Sequence, residues 1–135
     1  MVEKVQRRFS KRVLGLFALC YGERREILQL DTLEQRRLTN DLVYCYKLMN
    51  GLVDSDKHDF FAFSSNNNHD HDLRGHSCKL VVPKTNRDCR KFAFSSRVVP
   101  VWNSLPQEAV DCNSVSSFKR TVSSLDFSPF LRFRD

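Results

Sequence analysis

The sequence predicts a mainly α fold, a small helical domain with two or three short strands or extended segments between residues 76 and 97. Three observations carry this. Apolar residues recur at spacings of three and four over residues 2–20, 38–49 and 115–125, which is the period of one helix face. Capping residues punctuate these runs, with Asp31 and Ser114 ahead of two of them and Gly51 behind one. Weak alternation is confined to HSCKLVVP and CRKFAF, so extended chain is expected only there. The 135 residues and 15.8 kDa suffice for one small domain. A hydrophobic content of 41%, including 11 Phe, excludes a wholly disordered chain.

The first element is expected to be an amphipathic helix carrying Val2, Val5, Phe9, Val13, Leu16 and Cys20 toward a core. At 100° per residue, Lys4, Arg7, Arg8, Lys11 and Arg12 gather on the opposite side, facing solvent or phosphate. Gly22 is placed to interrupt the chain, and GERREILQL to form a short second helix. D-T-L-E, from Asp31 to Glu34, resembles a capping box. The third helix then starts near Thr32 and buries Leu38, Leu42, Cys45, Tyr46 and Met49, and Gly51 ends it in the left-handed conformation. Both periods lapse from Val53 to Leu73. A helix beginning at Ser95 or Ser96 tolerates Pro100 only in its first turn or at a kink, and Leu105 before Pro106 is not helical. Ser114 caps a last helix whose stripe is Val115, Phe118, Val122 and Leu125, stopped by Ser128 and Pro129.

Charge divides the chain into three parts of one module. A helical part spans residues 1–53, an acidic flexible spacer residues 54–73, and a basic-aromatic segment with the final helix residues 74–135. The net charge of +6 is distributed as +4 over 1–53, −4 over 54–73, +6 over 74–97 and 0 over 98–135. Two cationic stretches around an acidic spacer suit a polyanion surface, because phosphate neutralisation needs clustered cations. The expected partner is RNA or DNA, held by backbone contacts from Arg7, Arg8, Lys11, Arg12, Arg36, Arg90, Lys91 and Arg97. The run through Arg87, Arg90, Lys91, Phe92, Phe94 and Arg97 to Trp102 joins cations to aromatic rings that could stack on unpaired bases. Burial is the better reading for Phe92, Phe94, Val98, Trp102 and Leu105, since large apolar side chains contribute most when dehydrated.

No constellation in the sequence supports catalysis, a metal or a cofactor. His69, His71, His76 and Cys78 lack zinc-ligand spacing, because the nearest cysteine to Cys78 is Cys89. Asp54 with Asp56 and Asp70 with Asp72 fall in the spacer, and no Asp-Asp dipeptide occurs. Glycine-rich phosphate loops and the G-x-S-x-G context are likewise missing. Cys20, Cys45 and Cys112 lie on or near apolar stripes and read as buried thiols. No apolar run approaches the roughly 18 residues of a membrane span, and charges occupy the place of a signal's apolar stretch. No membrane partner is expected, and the location is intracellular, in nucleus or cytoplasm.

Four segments also resemble a known family. They are VEKVQRRFSKRV; LEQRRLTNDLVYCYKLMNGLVD, like L-E-x-R-R-x-x-x-D-L-x-x-x-Y-K-hydrophobic-x-N-G; LRGHSCKLVVPKTNRDCRKFAFSSRVVPVWNSLPQEAV, like R-G-H-S-x-K-L, R-x-x-F-F-S-x-R-V and W-N-x-L-P; and NSVSSFKRTVSSL, like a closing S-x-x-x-F-K helix. In this order the chain resembles the C-terminal, post-thumb region of reverse transcriptases of non-LTR retrotransposons, jockey-like and LINE-type. The resemblance spans nearly the whole chain. It implies a non-catalytic C-terminal fragment of an RNA-directed DNA polymerase, because the family's polymerase palm and endonuclease lie upstream and are missing here, as is its Cys/His knuckle. It also implies two alternatives for the chain's work. One is RNA or DNA backbone binding. The other is protein docking, with Val5, Phe9, Leu16, Leu38, Leu42 and Met49 packed against the parent's thumb.

Overall fold

In the computed structural model, residues 3–63, 75–84, 90 and 92–131 are described. The fold is mainly helical, as expected. Among the described residues seven α-helices follow one another: α1 (Glu3–Ser10), α2 (Tyr21–Ile27), α3 (Leu33–Met49), α4 (Lys57–Phe60), α5 (Phe94–Trp102), α6 (Gln107–Val110) and α7 (Val115–Ser123), then a 3-10 turn at Ser128–Phe130. Two compact units form. One holds Met1–Leu38 with Asp126–Asp135, and the other Thr39–Leu125.

In the first unit α1 is shorter than its apolar period and turned the other way. It stops at Ser10, and the chain then runs in turns to α2, with Gly15 at φ +84°. The buried side chains of α1 are Glu3, Gln6 and Ser10, whereas Val5 is 68% and Phe9 69% exposed. The expectation of a buried Val5–Phe9 stripe is therefore corrected. The reason is that the polar face meets backbone and side-chain groups that must be paired. Glu3 accepts the Tyr21 hydroxyl hydrogen and, through Oε2, the Leu33 N–H at 2.9 Å, one of the orphan donors opening α3. Gln6 donates from Nε2 to the Asp31 carbonyl at 2.8 Å, and Arg24 Nε donates to Ser10 Oγ at 3.2 Å. An apolar face laid there would strand all four partners.

α2 opens with a reciprocal cap. Cys20 Sγ accepts from the Glu23 N–H at 3.4 Å, and Glu23 Oε2 accepts from the Cys20 N–H at 2.7 Å. These bonds hold the Glu23 carboxyl below its ordinary range. Gly22, expected as a break, lies inside the helix. The side-chain cap of α3 comes from Thr32, whose Oγ1 accepts from the Gln35 N–H at 3.0 Å, one residue beyond the expected Asp31.

The end of α3 is the expected one, with Gly51 at φ +64°. Gly51 N–H donates to Leu48 O at 3.2 Å and Leu52 N–H to Lys47 O at 2.9 Å, the paired bonds of a Schellman motif. In the second unit Leu42, Val43, Cys45, Tyr46 and Leu48 of α3 are buried, as are Val98, Val99, Val101 and Trp102 of α5 and Phe118 and Val122 of α7. The Tyr46 ring stacks on Phe118 at 4.4 Å, and Trp102 lies 6.1 Å from Phe118. Ser114 caps α7 as expected, its Oγ accepting from the Ser117 N–H at 3.1 Å.

The expected strands are not found among the described residues, where one antiparallel bridge, Phe63 to Leu80, is the extent of β pairing. From Phe94 onward the second candidate strand is helical. Its aromatics two residues apart do not set a strand, because Val98, Val99, Val101 and Trp102 bury far more surface at helical spacing. Pro100 stands inside α5, beyond its first turn, where it has no N–H to offer the Ser96 carbonyl.

Candidate nucleic-acid interface

The first unit carries a concave pocket of about 640 Å³. α1 lines it with Lys4, Arg7 and Arg8, Lys11 follows just past the helix end, and the turn segment and α2 add Phe17, Ala18, Leu19, Cys20 and Arg24. α1 thus has three faces rather than two. Counting 100° per residue, Glu3, Gln6 and Ser10 form the buried face, Lys4, Arg7 and Arg8 the pocket face, which Lys11 continues past the helix end, and Val5 and Phe9 a third, exposed face.

Arg24 assembles the pocket. It is buried, and its guanidinium donates to the Leu19 carbonyl, to Ser10 Oγ at 3.2 Å and to the Arg7 carbonyl at 3.4 Å. One side chain thus ties the end of α1 to the turn segment that carries Phe17. Those bonds end on neutral oxygens, so the Arg24 charge adds to the positive potential of the wall. Tyr21 braces the same wall from behind. The guanidinium carbons of Arg7, Arg24 and Arg25 lie 4.8, 5.7 and 5.7 Å from its ring centre. Burial, together with Glu3 beside it, pushes the Tyr21 hydroxyl up to about 12. None of the residues lining the pocket is acidic.

Of the residues expected to bind nucleic acid, Arg7, Arg8 and Lys11 come together in this pocket. Arg12 and Arg36 are exposed in the same unit without lining it. Arg90 is exposed in the second unit, and Lys91 lies outside the described residues, as does Arg87. Arg97 is engaged within the second unit. Its Nε and Nη2 reach Asp41 Oδ2 at 2.9 and 2.8 Å, and Nη1 donates to the Phe92 carbonyl. Lys4 entered the sequence reading only as part of the basic face. Phe17 and Arg24 carried no signal in the sequence, since the pocket exists only because α1 ends at Ser10 and the chain folds back.

Among the described residues of 76–105, His76 and Trp102 are internal supports. His76 is buried, with Nε2 at 2.8 Å from the Trp102 carbonyl and Nδ1 accepting from the Cys78 N–H at 3.2 Å. This arrangement fits the neutral ring with its proton on Nε2. Trp102 Nε1 donates to the Cys78 carbonyl at 2.9 Å. Of the aromatics expected in the core, Trp102 is buried together with Val98 and Leu105, Phe94 is half-buried and Phe92 is exposed. Cys45 is buried, and burial pushes its thiol up, whereas Cys20 is exposed and Cys112 partly so, contrary to the expectation for those two. Leu38 and Leu42 of the docking stripe are buried within the chain itself. Among the described residues no group of three or more His, Cys, Asp or Glu side chains could hold a metal ion, and His69 and His71 lie outside them. No described helix is long and apolar enough to cross a membrane. Neither a family model, nor a curated protein, nor a solved structure matches this chain.

Proposed function

We propose that the chain binds RNA or DNA through phosphate contacts in the pocket of the first unit, as the non-catalytic C-terminal part of a LINE-type reverse transcriptase. The observation that carries the binding is the convergence of Lys4, Arg7, Arg8 and Lys11 on one concavity with no acidic residue in its lining. Clustered cations of this kind release counterions from a phosphate backbone, which makes binding tight at low salt and independent of sequence. The lineage rests on the order of the four segments, and within the third the bonds of His76 and Cys78 to Trp102 tie its R-G-H-S-x-K-L and W-N-x-L-P parts together.

The test is a salt titration of oligonucleotide binding by wild type and by the combined variant Lys4→Gln, Arg8→Gln, Lys11→Gln. Arg7 is retained because it covers Tyr21. The variant should bind every sequence more weakly, with a log–log salt slope flatter by roughly 0.7 per lost contact on a single strand and roughly 0.9 on a duplex. An unchanged affinity and slope would remove the pocket from the interface. Exposure of Val5, Phe9 and Leu14 favours a second reading, docking on the upstream polymerase, and that association should persist at high salt.

A further inference from the structure

Building on the nucleic-acid reading, we infer that the pocket takes an unpaired nucleotide of a single strand, its base stacked on Phe17 and the flanking phosphates on Lys4, Arg8 and Lys11. Three observations point the same way. Lys4, Arg7, Arg8 and Lys11 line one open, shallow depression together with Phe17. A duplex keeps its bases stacked inside and has none to offer Phe17. A single strand can turn one base onto it.

The second observation is Phe17 itself. The residue is 70% exposed and lines the same depression as Lys4, Arg7, Arg8 and Lys11. An exposed aromatic face beside positive charge is the arrangement that holds unpaired bases, since every base offers a π face and every linkage a phosphate. The third is rigidity. Phe17 lies on a non-helical segment, yet that segment is tied by Arg24 to the Leu19 carbonyl and by Leu16 N–H to Val13 O at 3.1 Å and Leu19 N–H to Leu16 O at 3.3 Å. Ala18 and Leu19 follow Phe17 in the lining with small or neutral groups. An anionic membrane is the weaker match. Of the exposed apolar residues Val5, Phe9, Leu14 and Phe17, Phe17 is the one that lines the depression.

The experiment is fluorescence anisotropy on the full chain with labelled oligo-U, oligo-dT, an abasic strand and a duplex, each about 12 nucleotides long. Phe17→Ala should weaken oligo-U and oligo-dT by about tenfold and leave the abasic strand and duplex unchanged. Phe17→Trp should retain binding, and its indole emission should be quenched by the single strands, while Trp102, 1% exposed, contributes a constant background. A larger loss for oligo-U than for oligo-dT would assign the natural strand as RNA, and the reverse as DNA. Single-strand recognition is overturned if Phe17→Ala binds oligo-U and oligo-dT like wild type, or loses equally on the abasic strand. It is also overturned if phosphatidylglycerol vesicles bind in a Phe17-dependent way that oligo-U does not compete. Failure of the Lys4, Arg8, Lys11 variant to weaken any strand is a separate result, and it overturns the nucleic-acid reading beneath.

Discussion

Asn103 holds Leu80 as a neighbouring strand would, its Oδ1 accepting from the Leu80 N–H at 2.9 Å and its Nδ2 donating to the Leu80 carbonyl at 2.8 Å. A single side-chain amide satisfies both polar groups of a buried residue where a ladder is missing. This is why the segment around Leu80 stays extended without a sheet. The carbonyl of Trp102, next to Asn103, binds His76 and its Nε1 donates to the Cys78 carbonyl, so the end of α5 supports residues 76–80 at three points.

Asn103→Ala should therefore lower stability by about 1–3 kcal/mol, the cost of leaving buried backbone donors and acceptors unpaired. Asn103→Asp keeps the acceptor but sets an oxygen against the Leu80 carbonyl, and should destabilise as well. Urea unfolding measures both, as a lower midpoint at unchanged slope.

Glu3 and Phe9 should respond to truncation in the reverse of their hydrophobic order. Glu3→Ala strips the Tyr21 hydroxyl and the Leu33 N–H of their acceptor, and should cost about 2–3 kcal/mol. Phe9→Ala removes a side chain already in water and should stay within about 0.5 kcal/mol of wild type. Equal melting shifts for the two variants would contradict the orientation of α1.

Alkaline pH should destabilise the fold. Tyr21 is pushed up to about 12 from an ordinary 10.0 by burial and by Glu3, so between those values the unfolded chain gives up a proton that the folded chain keeps. The Tyr21 contribution is complete below pH 10 and falls until about pH 12. Burial raises the Cys45 thiol too, and its contribution starts to fall above its ordinary 9.0. Unfolding midpoints of wild type and Tyr21→Phe across pH 8–12 should separate the two, the variant losing the Tyr21 share of the decline above pH 10 and keeping that of Cys45 and of Tyr46, which burial also raises.

Arg97 and Asp41 should couple in stability and not in nucleic-acid binding. A double-mutant cycle with Arg97→Gln and Asp41→Asn should give a coupling of about 1 kcal/mol for this partly exposed pair. The salt slope of oligonucleotide binding should be unchanged in Arg97→Gln, since its nitrogens already have partners. A flatter slope would return Arg97 to the interface.

What the sequence by itself determined is the local structure whose cause lies within a few residues. The helical class, the apolar stripe of α3, its Gly51 terminus, the Ser114 cap of α7 and the burial of Trp102 all follow from period and capping chemistry. Arg7, Arg8 and Lys11 were legible as one basic face for the same reason. Only the tertiary structure decided which face of α1 is buried, because the hydrogen bonds from Glu3 to Leu33 and from Gln6 to Asp31 join residues far apart in sequence. It also decided that Arg97 is used internally and that Phe17 and Arg24 belong to the pocket. Periodicity ranks faces by hydrophobicity alone, and it cannot see a distant N–H that must be satisfied. For α1 those buried donors and acceptors outweighed the exposure of two apolar side chains, and the pocket exists as a result.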